Sequence, residues 1–97
     1  MPSPFDYKAY FIMKALANGD KTAAEIAPLM RPWTDAAGGR PVGVRSIAGV
    51  IKERLHPAYV EVRGVRRPWR SRRGINVYGL TAEGRRFVDR YAARWEA

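Results

Sequence analysis

Residues 59–81 read YVEVRGVRRPWRSRRGINVYGLT, two short apolar runs with a dense cluster of arginine between them. Tyr59 to Arg63 and Ile75 to Leu80 are rich in β-branched and aromatic residues that alternate with polar ones, the period of a half-buried strand. An antiparallel hairpin is the simplest way to join them. The joining segment holds six arginines in the eleven residues from Arg63 to Arg73. A guanidinium stays ionised and loses its hydration on burial, so a loop this charged cannot enter a core. Arg63, Arg66, Arg67, Arg70, Arg72 and Arg73 are therefore expected to project into solvent or lie against an anionic partner, their planar forks suiting phosphate oxygens or a narrow minor groove. Trp69, set among them, offers a ring to stack on a sugar or base, or to prop the loop.

The charge is concentrated around this segment. Residues 1–39 carry four basic and four acidic side chains and net zero. Residues 40–73 carry ten basic against two acidic, a net +8, and residues 74–97 carry four against three. Nearly all of the +9 thus sits in the middle third of the chain. A localised field of this size steers association with a polyanion, whereas an even spread would serve solubility alone. The plain alternative is a solvated basic hairpin.

Ninety-seven residues, 46% of them hydrophobic, predict one domain with one core, spanning residues 1–97. The absence of cysteine excludes disulfides, thiolate metal sites and thiol catalysis. One histidine, no close pair of carboxylates on a recognisable scaffold and no glycine-rich phosphate loop argue against an enzyme; no cofactor and no small-molecule ligand is expected. The start, MPSPFDYKAY, lacks a basic stretch followed by a long apolar run, and no segment approaches membrane-spanning length, so the expectation is a cytoplasmic protein.

Upstream of the hairpin the periodicity is helical. A first helix from Phe5 or Asp6 to Ala17 carries Ala9, Ile12, Met13 and Leu16 on one stripe, and Asn18-Gly19 supplies its stop. Thr22-Ala23-Ala24-Glu25 is a capping box for a short second helix that Pro28 should end or bend. Arg31 to Gly43 reads as a loop, with Trp33 as its hydrophobic anchor. A third helix from Val44 to Leu55 places Val44, Ile47, Ala48, Ile51 and Leu55 on one face. Ser46, Gly49 and Glu53 face the other way, with Arg45 and Lys52 on one flank and Val50 and Arg54 on the other. Gly49 costs about 1 kcal/mol relative to alanine inside a helix, which suggests a close approach by something. His56-Pro57 closes the helix, and Thr81 caps a last helix from Ala82 to about Trp95 with an aromatic ridge of Phe87, Tyr91 and Trp95.

Two strings carry a resemblance to a family. Residues 15–27, ALANGDKTAAEIA, look like the end of a first helix and the capped second helix of many prokaryotic regulators. Residues 78–84, YGLTAEG, are similar to the pattern by which those proteins leave their β-hairpin. With the order helix, helix, helix, hairpin, helix, the chain resembles winged helix-turn-helix DNA-binding domains of prokaryotic and viral transcriptional regulators. The resemblance implies an α+β winged-helix fold in which the third helix reads the major groove of duplex DNA and the arginine-rich hairpin is the wing. Arg45 and Ser46 would then meet base edges or phosphates, Lys52 and Arg54 would sit by phosphates, and Gly49 would permit close approach. The runner-up readings are an architectural or excisionase-like DNA-binding factor and a winged-helix protein-interaction module. The aromatic ridge exceeds what one short helix needs for anchoring, so a homodimer with Tyr91 and Trp95 at its seam is also expected.

Overall fold

The computed structural model describes residues 4–31, 34, 38–39, 42–67 and 74–96, with the backbone alone at 4–7 and 93–96. Along the chain lie α1 (Pro4–Ala17), β1 (Lys21–Thr22) and α2 (Ala23–Ile26), the last tightening into a 3₁₀ turn (Ala27–Met30). Next come α3 (Val44–Val50), which widens into a π-helical turn (Ile51–Leu55), then β2 (Val60–Arg66), β3 (Ile75–Leu80) and α4 (Ala82–Glu96). The architecture is α+β, with four helices and one three-stranded antiparallel sheet among the described residues.

α1 is the centre of the molecule. Its pattern predicts a single apolar stripe, yet Ala9, Tyr10, Phe11, Ile12, Met13, Ala15 and Leu16 are all buried. The reason is that α2, the 3₁₀ turn, β3 and α4 all pack against it. The helix stops where expected: Gly19 has φ +139°, a region open to glycine, and its N–H donates to the Leu16 carbonyl at 3.2 Å.

The capping box forms as read. The Thr22 hydroxyl accepts from Glu25 N–H at 3.2 Å, and Thr22 N–H donates to Glu25 Oε1 at 3.0 Å. As Pro28 leads one to expect, the α-helix ends at Ile26, and the chain tightens around the proline into the 3₁₀ turn and buries Met30. The cap also does something the sequence does not announce. Thr22 has the extended φ and ψ of an N-cap, −80° and 165°, which is strand geometry. Lys21 and Thr22 therefore pair with Tyr78 and Val77 on the open edge of β3, giving the order β1-β3-β2. The expected two-stranded hairpin is thus a three-stranded sheet with β3 in the middle.

α3 spans the predicted range but changes winding at Ile51. Its buried residues, Ile47, Ile51 and Leu55, are spaced by four. At 3.6 residues per turn, such a row drifts about 40° around an α-helix at each step. The wider turn, closed by His56 N–H on the Ile51 carbonyl at 2.7 Å, counters that drift and keeps Leu55 in the core. Val44, expected on the buried face, is 46% exposed; burial begins one turn further in, at Ile47.

The last junction closes the fold. Thr81 N–H donates to the Tyr59 carbonyl at 3.0 Å, and its hydroxyl donates to the Ala58 carbonyl at 2.6 Å while accepting from Gly84 N–H at 3.1 Å. Gly84 is buried against the Tyr59 carbonyl; a Cβ there would collide with that backbone oxygen and come within 2.9 Å of Leu80 Cδ2. The pattern Tyr78, Leu80, Thr81, Gly84 is therefore two core side chains, a cap and a contact too close for any side chain. Gly84→Ala should destabilise the protein by about 1–3 kcal/mol or more, because a backbone atom rather than a flexible side chain must yield. Urea unfolding checks it: the midpoint should fall, against the gain that alanine normally brings to a helix.

Candidate functional site

Three anchors, Ile47, Ile51 and Leu55, turn the opposite face of α3 and its π turn outward. Arg45, Ser46, Lys52, Glu53 and Arg54 are exposed there. The structure adds a cation to this face: Lys8 of α1 donates from Nζ to the Ser46 hydroxyl at 2.6 Å. Thirty-eight residues separate the two, and no local pattern signals the contact. Gly49 was expected to mark a close approach, but within the molecule a Cβ built at this position meets nothing within 4 Å. The space beside it is open.

The hairpin divides its arginines. Pairing runs from Val60 with Leu80 to Val62 with Tyr78, then resumes at Gly64 with Val77, leaving Arg63 as the extra residue of a β-bulge. The bulge turns Arg63 back onto the sheet. Its Nη2 donates to the Leu80 carbonyl at 2.6 Å and its Nε meets Glu61 Oε1 at 2.7 Å. The stem lies over Gly79, where a Cβ would come within 2.7 Å of Arg63 Cγ. Arg63, expected to contact DNA, is thus engaged inside the hairpin. β2 runs on past the predicted Arg63 to Arg66, whose Nη1 reaches Glu25 Oε1 at 2.8 Å. Both partners of that pair are substantially exposed, and such pairs contribute roughly 0–1 kcal/mol. A stronger anion can therefore displace Glu25 at little cost to the fold. Arg67 is exposed. Trp69, Arg70, Arg72 and Arg73 lie outside the described residues, as does Trp33.

Between α3 and the hairpin lies a cleft of about 430 Å³. Ala48, Gly49 and Lys52 line one side, Val62 and Asn76 the other, and the buried Tyr78 closes its base. Further out on the hairpin, Val65 follows Val62 on the same sheet face and is 56% exposed, while Ile75, on the opposite face, is 41% exposed. The cleft is thus largely apolar, with the Lys52 ammonium on its helix side and Arg66 and Arg67 exposed further out on the hairpin.

The ridge on α4 serves the core. Phe87 stacks edge-on against Tyr59 at 5.7 Å between ring centroids and lies 4.5 Å from Tyr91. Phe87 and Tyr91 are half-buried and pack against the core cluster. The Trp95 side chain lies outside the described residues. Among the described residues no group of three or more His, Cys, Asp or Glu side chains could hold a metal, and no helix is long and apolar enough to cross a membrane.

Among the described residues, Glu25 is the acidic group tied to both the α2 cap and the hairpin. The Thr22 amide hydrogen bond holds its carboxyl below the usual value of 4.5, helped by the Thr22 hydroxyl and the Arg66 guanidinium and opposed by partial desolvation. A depressed folded-state pKa contributes stability that is fully present above the ordinary value and lost as pH falls through the folded one. Glu25→Gln should therefore be less stable than the parent at neutral pH, with the gap closing below pH 4.5. Thermal unfolding of both proteins across that window measures it; a gap that persists at low pH would assign the loss to packing instead. Searches against known protein families, curated proteins and solved structures find no match to this chain.

Proposed function

We propose that the chain is a winged helix-turn-helix protein that binds double-stranded DNA and acts as a small transcriptional regulator. In this reading α3 lies in the major groove and the hairpin from β2 to β3 is the wing, set on the backbone or the minor groove. The observation that carries it is the pair of cationic ridges: Arg45, Lys52 and Arg54 exposed on α3, and Arg66 and Arg67 on the adjacent hairpin. The element order, the packing of α2 against α3 and the net +8 of residues 40–73 support it. Arg45 is exposed on the first turn of α3 and is the best candidate for a base contact; Lys8 and Ser46 beside it suit a phosphate. An architectural or excisionase-like factor would use the same surface. A homodimer seamed near Trp95 would double the contact area that a single module, burying about 600–1,000 Å², offers DNA.

A specific observation favours one other reading. Val62 and Val65, exposed on one face of the hairpin, give it an apolar patch that suits a protein partner with an acidic rim. Salt separates the two. With six to ten phosphate contacts, affinity for duplex DNA should drop by roughly 10³–10⁵ between 50 and 200 mM salt. Fluorescence anisotropy with a labelled duplex, with and without an acidic protein competitor, measures this; a flat salt dependence counts against DNA.

The two ridges should also be separable. Arg45→Ala should cost about 1–3 kcal/mol on the preferred sequence and blur preference at one position. Replacing Arg67, Arg70, Arg72 and Arg73 together with alanine should weaken binding to all sequences and shallow the salt slope. Binding that survives the fourfold change in a folded protein would remove the wing from the interface.

A further inference from the structure

The bulge at Arg63 decides which way the outer side chains of the hairpin point. Val62 pairs with Tyr78 and Val65 with Asn76, on the sheet face turned toward α3. Arg66 pairs with Ile75 and so lies on the opposite face, where its guanidinium meets Glu25 Oε1 at 2.8 Å. That carboxylate is not a loose surface group. The reciprocal bonds of the α2 cap fix it, and the oxygen that receives Arg66 is the one that accepts the Thr22 N–H at 3.0 Å. Glu25 thus presents a positioned anion to the outer hairpin, where Arg66 and Arg67 are the described charges.

The two paired arginines differ in what holds them. Arg63 has the Leu80 carbonyl as well as Glu61, so its position does not depend on the carboxylate alone. Arg66 has Glu25 alone among the described residues, and both side chains are open to water, 58% and 43% exposed. An exchange of partner there leaves no buried charge behind, and the α2 cap keeps its own hydrogen bonds. β2 is also an edge strand, so a released Arg66 can turn outward past it.

We infer that Glu25 is an internal competitor for phosphate at Arg66. In the free protein it holds the guanidinium on the face turned away from α3, and it yields that group to a backbone phosphate when a duplex lies along the hairpin. The duplex as source of the phosphate rests on the DNA-binding reading; the exchange itself does not. Affinity is held down in consequence, because binding must first break an ion pair. The salt response is softened as well, since the carboxylate left unpaired takes up a cation while the phosphate releases one.

The test uses the full chain and a labelled duplex. Glutamine serves the same position of a capping box, so Glu25→Gln keeps the cap and removes the competing charge. It should bind the duplex about two- to fivefold more tightly at low salt, the range that an exposed ion pair spans. Its salt slope should steepen by up to about one. Tighter binding by a variant expected to be less stable does not come from damage to the fold. In an Arg66→Gln background the gain should largely vanish. An equal gain in both backgrounds would make Glu25 a general negative charge, and no gain in either would mean that the pair persists in the complex; each result overturns the inference. The carboxyl-carbon NMR signal of Glu25 follows the exchange directly. Saturating duplex should carry it toward its position in Arg66→Gln, and a signal that stays in place refutes the exchange. If the chain binds no duplex, the proposed function fails and inorganic polyphosphate becomes the probe. It should move the same signal in the same direction, and a signal that polyphosphate leaves unmoved overturns the inference by itself.

Discussion

The backbone carbonyl of Tyr59 joins the two halves of the molecule. It accepts the Thr81 N–H, it lies against Gly84, and the Tyr59 N–H is itself held by the Leu55 carbonyl at 2.8 Å. The end of α3, the start of β2, the end of β3 and the start of α4 thus meet at one peptide and its neighbours. Two consequences follow for the site. The hairpin leaves the body at an angle fixed relative to α3, so the cleft between them has defined walls. The Tyr59 ring, held at the same point, receives Phe87 and seats α4 on the core.

What the sequence made legible was local. The stop at Gly19, the capping box at Thr22, the end of α3 at His56 and the cap at Thr81 each depend on residues within a few positions of one another, and each forms as read. Strand pairing that joins distant segments was legible only where alternation was strong. Lys21 and Thr22 are too few to show a period, and their pairing with β3 exists because a cap residue already has extended backbone. The bulge at Arg63 is likewise invisible, since one extra residue does not alter composition. The Lys8 contact to Ser46 and the Arg66 contact to Glu25 bridge distant parts of the chain and leave no local trace. The stripe on α1 understated its burial because periodicity reports one face, and this helix is covered on several.

Backbone geometry makes the arginines unequal. In sequence the six from Arg63 to Arg73 look interchangeable. In the fold, Arg63 is committed to a backbone carbonyl and a carboxylate within the sheet, so removing it would unbrace the hairpin as well as remove a charge. Arg66 holds a weaker, exposed pair, which makes it a cation on loan. Glu25 connects these matters, because the same carboxylate that closes the α2 cap also holds Arg66. The cap of a helix packed against α3 and the charge of the hairpin are therefore electrically linked across the sheet.

Burial along the hairpin ends early. Val60, Tyr78 and Leu80 belong to the core, whereas Val62, Val65, Arg66, Ile75 and Asn76 are exposed. Outboard of the bulge the strands hold their register by backbone pairing and contribute no side chain to the core cluster. The side chains that build the core and those that face solvent thus come from different parts of one element. The outer hairpin is free to drift, lengthen or change its charge while Thr81, Gly84 and Tyr59 keep its root in place, which gives this small fold a way to acquire new specificities without first becoming less stable.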